Sequence, residues 1–82
     1  MIVIGPYYAQ AHRRKYLAEC AKFIRNTKND TAKLCVLYNM RTIGVNCPKL
    51  LAEHRKLVEE CREVASLKDA SQAAIDVMDG RR

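Results

Sequence analysis

Residues 42–54 read TIGVNCPKLLAEH, and the way this stretch is parsed decides the fold. Gly44 follows an apolar run, and Asn46-Cys47-Pro48 opens another apolar-periodic segment. Glycine just past a helix and proline in the first turn of the next are the two ordinary punctuation marks of a helix–helix connection. The expectation is therefore a left-handed C-cap at Gly44, with Val45 folding back on the preceding helix. Asn46 or Cys47 then caps the helix that follows.

Such a corner belongs either to a helix-turn-helix DNA reader or to a small helical bundle. In the DNA reader the residue four before the turn glycine must be small, and here it is Met40. The residue five before should be apolar and is Asn39, and the core position nine after is Glu53. Gly44, Val45 and Leu50 fit, but three steric requirements fail. A bundle corner accounts for the same glycine without exceptions.

Working downstream, a heptad register runs from the corner. Cys47, His54 and Cys61 repeat every seven residues, as do Leu50, Leu57 and Val64, and beside them Leu51, Val58 and Ala65. That pattern predicts one helix over 47–65 with a broad apolar stripe, and Glu53, Lys56, Glu59, Glu60 and Glu63 mostly outside it. Ser66 and Asp69 match a capping-box start, DASQAAIDVMD (69–79) reads as a last helix, and Gly80 ends it. Residues 80–82 form a short basic tail.

Upstream, TAKLCVLYNMRTI (31–43) is predicted as a mostly buried helix over about 31–42, although LCVLY (34–38) taken alone also suits a buried strand. NTKND (26–30) breaks the chain before it, and Asn29 or Asp30 supplies the cap. From about Tyr8 to Asn26 the pattern is again helical, with Leu17, Cys20, Ala21 and Ile24 on one stripe. Residues 1–7 are expected to be a short extended arm. The overall expectation is a single all-α domain over residues 1–82, a bundle of three to four helices, with a small α/β fold of one or two strands as the alternative.

The stretch IVIGPYYAQAHRRKYLAECAKFI (2–24) bears on that alternative. It resembles the opening strand, Gly-Pro-Tyr turn and helix of nucleoside 2-deoxyribosyltransferase-like proteins, and it covers about the first quarter of the chain. The resemblance implies a strand at 2–4 and a small α/β fold. The catalytic carboxylate pattern of that family matches no later position.

Length and composition bound the rest. Eighty-two residues with 49% apolar and 29% charged side chains make one ordinary globular domain. With one Phe, four Tyr and no Trp, aliphatic residues must fill the core. A core this small gains from a partner copy. The broad stripe predicts a homodimer or larger oligomer with Leu50, His54, Leu57, Cys61 and Val64 in the seam.

The formal charge of +6 is lopsided. Residues 1–41 hold eight basic groups (Arg13, Arg14, Lys15, Lys22, Arg25, Lys28, Lys33, Arg41) against Glu19 and Asp30, a net of +6, while residues 42–82 balance seven against seven. A one-sided positive field attracts nucleic acid, acidic proteins or anionic surfaces. HRRKY (12–16) with Lys22 and Arg25 offers five phosphate-neutralising groups on one helix. Tyr7, Tyr8, Tyr16 and His12 can stack on bases or donate to phosphate oxygens, unless Tyr16 packs inside.

The four cysteines, Cys20, Cys35, Cys47 and Cys61, lie 15, 12 and 14 residues apart, with no Cys-x-x-Cys pair. MIVIGPYY has no basic region and too short an apolar run for a secretory signal, so the expectation is a cytoplasmic protein with reduced thiols. No stretch approaches a membrane span. Cys47, His54 and Cys61 share a stripe, but seven helical residues span about 10.5 Å, whereas zinc holds its ligands at about 2.0–2.3 Å. A core seam is the better reading, so neither a metal nor any other cofactor is expected. Nothing marks a catalytic base, an oxyanion hole or a phosphate-cradling glycine loop, so no enzyme is expected. The sequence leads to a small basic nucleic-acid-binding or regulatory protein acting through residues 8–26. A non-enzymatic adaptor or inhibitor that docks an acidic protein through the same helix is the alternative.

Overall fold

The computed structural model describes residues 6–81, and of residues 6–11 the backbone alone. Among these residues the chain forms five α-helices: α1 (Pro6–Asn26), α2 (Asp30–Gly44), α3 (Pro48–Ala52), α4 (Arg55–Arg62) and α5 (Lys68–Met78), with a 3₁₀ turn at Ala65–Leu67 before α5. There is no strand among them. The all-α expectation holds, and LCVLY lies wholly within α2. The strand implied for residues 2–4 falls outside the described residues. Of the extended arm expected over 1–7, Pro6 and Tyr7 belong to α1 instead, and the rest lies outside the described residues.

Local chemistry explains the boundaries of α2. Asn29 is extended (φ −84°, ψ 106°), and its Oδ1 accepts the Ala32 N–H at 3.1 Å. That satisfies one of the free donors at the helix start. Asp30 in the first turn adds a favourable charge at the positive end of the helix dipole. At the far end the Val45 N–H donates to Arg41 O at 3.1 Å, and the Cys47 thiol donates to Ile43 O at 3.2 Å.

Gly44 is not the left-handed cap that the sequence suggested. It is the last residue of α2, it is buried, and the only positive φ among the described residues is at Gly80 (77°), just past α5. The reason for glycine at 44 is steric: a Cβ there would overlap the Leu51 side chain, approaching its Cβ to 3.0 Å. The helix after the turn has only five residues, too few to serve as a recognition helix. The corner belongs to a bundle.

The single helix expected over 47–65 is broken. Glu53 and His54 form a turn, with the His54 N–H donating to Leu51 O at 2.9 Å, and His54 leaves helical geometry (φ −109°, ψ 18°). No proline or glycine sits at the break. Packing places it there. Leu51 seats over Gly44 on α2, whereas α4 packs chiefly against α5. The α4 helix ends before Val64, which is extended (φ −91°, ψ 122°). Ser66 falls in the 3₁₀ turn, and no side chain caps the start of α5, so the capping-box reading is also corrected.

The core is aliphatic, as the composition requires. Leu17, Ala21, Leu37, Met40, Leu51, Val58, Leu67, Ala70, Ala74 and Ile75 are essentially sealed from solvent. The described aromatic side chains lie outside it: Tyr16, Phe23 and Tyr38 are exposed, which corrects the mostly buried helix expected around Tyr38 and the alternative that Tyr16 packs inside. Of the expected seam, Leu57 and Cys61 are buried within one chain, Leu50 and His54 are half-buried, and Val64 is exposed. Two of the five are thus covered within the chain itself, and the other three keep part of their surface open.

Candidate nucleic-acid interface

Helix α1 positions the basic residues, and its 100° step per residue sorts them. Leu17, Cys20, Ala21 and Ile24 face the core. Arg14, Lys15, Lys22 and Arg25 are all exposed and fall within an arc of roughly 100° centred on Ala18. From Arg14 to Arg25 the arc runs roughly 16 Å along the axis. Arg13 does not join them: it lies on the core-facing side, half-buried, and its charge acts on the Cys47 thiol. The five-cation face read from the sequence is a four-cation face.

One of the four is already engaged. Arg14 Nη1 lies 3.0 Å from Glu53 Oε2, tying α1 to the turn between α3 and α4. Both side chains are well exposed, so the pair is weak and open to exchange. Beside the cationic arc, His12, Tyr16 and Phe23 share the adjacent edge of the helix and are exposed. Phe23 was not among the residues singled out from the sequence. Its signal was there: it is seven residues from Tyr16 and off the core stripe. Tyr7 and Tyr8 lie in the first turn of α1, with side chains outside the described residues.

A second feature joins α1 to its neighbours. A groove of about 290 Å³ opens between the end of α1, the start of α2 and α4. Its floor is Ile24, Leu57, Cys61 and Leu67, with Val64 at the lip, and Arg25, Lys33 and Glu60 stand on its rim. A second opening continues past Arg25 and Glu60 to Lys56. Lys33 and Lys56 come from separate helices, so no spacing in the sequence announced their meeting with Arg25.

The remaining chemistry is quiet. Burial pushes the Cys20, Cys47 and Cys61 thiols above their ordinary value, opposed by the Tyr16 hydrogen bond at Cys20, by Arg13 at Cys47 and by Lys33 at Cys61, so all three stay protonated at neutral pH. Burial lowers His54, with Glu53 opposing and Arg25 reinforcing the shift. Among the described residues, no three His, Cys, Asp or Glu side chains converge as a metal site would require. No helix among them is long and apolar enough to cross a membrane.

Comparison with protein-family profiles, curated proteins and solved structures finds no match to this chain. The fold and the face together define a class only: a small all-α protein with a basic, aromatic-edged helix. Function has to be argued from that face.

Proposed function

We propose that this chain is a small, non-enzymatic regulatory protein that binds single-stranded nucleic acid along α1. One observation carries the reading: exposed Arg14, Lys15, Lys22 and Arg25 run beside exposed His12, Tyr16 and Phe23 on the same helix. Cations tracking a phosphate backbone next to rings that stack on bases is the combination single strands require. Exposed aromatic rings beside a duplex would find only paired, stacked bases. Four free cysteines suit a reducing compartment, and the proposed setting is the cytoplasm.

The test is a titration of labelled single-stranded RNA, single-stranded DNA and duplex DNA at low and moderate salt. The single strands should bind more tightly, with log affinity falling by about 0.7 per neutralised phosphate for each tenfold rise in salt. Replacing Lys15 and Lys22 by Ala should flatten that slope. Replacing Phe23 by Ala should weaken binding with the slope intact, by about 1–3 kcal/mol if one base stacks there. Absence of binding at low salt, or affinity indifferent to both changes, removes the reading.

A further inference from the structure

The groove between α1, α2 and α4 pairs an apolar floor with a charged rim, and apart from Arg25 the nucleic-acid reading leaves it unused. Its floor of Ile24, Leu57, Cys61 and Leu67 is nearly sealed, while Val64 at the lip is 37% exposed. Arg25 and Lys33 stand on its rim with Glu60, Asp30 lies beside Lys33, and Lys56 lines the adjoining opening past Arg25. Lys33 is only loosely held, 4.0 Å from Asp30. We propose that this groove receives the apolar face of an acidic amphipathic helix from another protein.

Charge and shape select that occupant. No aromatic ring lines the groove, so a nucleic-acid base has nothing to stack on. The opening of about 290 Å³ is at or below the smallest pockets that enclose drug-sized ligands, about 300 Å³. It suits the insertion of one or two apolar side chains from a longer segment, as in helix-in-groove recognition. A second copy of this chain is a poor fit. Its formal charge is +6, and its Glu53, Glu59, Asp76 and Asp79 already sit in ion pairs. Across the groove and the adjoining opening Arg25, Lys33 and Lys56 outnumber Glu60 and Asp30, and that excess steers an acidic segment toward the site and disfavours a basic one.

The probe is a synthetic helical peptide with leucines at i, i+3, i+4 and i+7 and glutamates on both flanks. Its twin carries lysines in place of the glutamates. Binding to the isotope-labelled full chain is followed by NMR and by fluorescence anisotropy. The glutamate peptide should bind and shift the resonances of Ile24, Leu57, Val64 and Leu67, with the lysine twin at least about tenfold weaker. Lys33→Glu with Lys56→Glu should reverse that ranking, and Val64→Asp should abolish binding while leaving the fold intact. Failure of the glutamate peptide to bind, equal binding of the twins, or indifference to Val64→Asp overturns the proposal. Self-association of the chain that Val64→Asp abolishes would assign the groove to a second copy and overturn it too. Lys33, Lys56 and Val64 lie off the α1 face, so the nucleic-acid titration of the same variants reports separately on the function proposed above.

Discussion

Leu51 occupies the space over Gly44 that any larger residue would need, and that contact holds α3 against α2. The pair sets the corner on which the second half of the chain turns. Gly44→Ala gains up to about 1 kcal/mol of helix propensity but must displace Leu51, and overpacking of this kind costs about 1–3 kcal/mol. The expected net is a loss of up to about 2 kcal/mol in chemical denaturation. Leu51→Ala alone should cost about 2–5 kcal/mol. The double variant should cost less than the sum, because each change relieves the other. An additive result would mean the two side chains do not compete for the same space.

Leu57 and Val64 are seven residues apart and were expected in one seam, yet the fold treats them oppositely. Leu57 is 9% exposed and Val64 37%. Leu57→Asp places a charge in the core and should cost more than about 3 kcal/mol, seen as lost helicity at any protein concentration. Val64→Asp should stay within about 0.5 kcal/mol of the parent. A Leu57→Asp chain that keeps its helicity and changes only its sedimentation would restore the intermolecular seam.

Arg55 clasps the end of α5. Its Nη1 donates to Asp79 Oδ1 at 2.7 Å, its Nε donates to Glu59 Oε2 at 3.3 Å, and Arg81 joins Asp79 at 3.1 Å. The hydrogen bond from Arg55 is the main reason Asp79 lies below its ordinary value of 3.8. A depressed carboxylate stabilises the fold above the unfolded value and loses that contribution as pH falls through the folded value. Asp79→Asn should therefore be less stable than the parent at neutral pH, and the difference should shrink once pH drops below 3.8. The clasp is exposed to solvent, so added salt should shrink it as well. A gap that persists in strong acid would point to lost hydrogen bonding rather than charge.

The four thiols should separate by accessibility. Cys35 is exposed on α2, whereas Cys20, Cys47 and Cys61 are buried and raised by burial. Thiol labelling at neutral pH should show one fast site, mapped to Cys35 by mass spectrometry, and three that react only on unfolding. Denaturant should bring the three slow thiols up together. Fast reaction at Cys61 would mean that the groove above it opens further than the structure shows.

Much of this was legible in the residues. Local chemistry fixed the helical stretches, because the core positions of α1 repeat at the helical period and Asn29 and Pro48 mark helix starts whatever the fold. Charge segregation along the chain, and the exposure of Arg14, Lys15, Lys22 and Arg25, followed from the same periodicity. Three things did not follow. The break at Glu53–His54 has no breaker residue, since it arises from two packing demands that one straight helix cannot meet. Gly44 reads as a turn glycine in isolation, and only the position of Leu51 shows that it is there for want of space. Lys33 and Lys56 stand on either side of Arg25 in two adjoining openings although the three come from three helices, because helix packing brings together what the sequence keeps apart. Sequence periodicity decides which face of a helix turns inward, and only tertiary packing decides what it meets there.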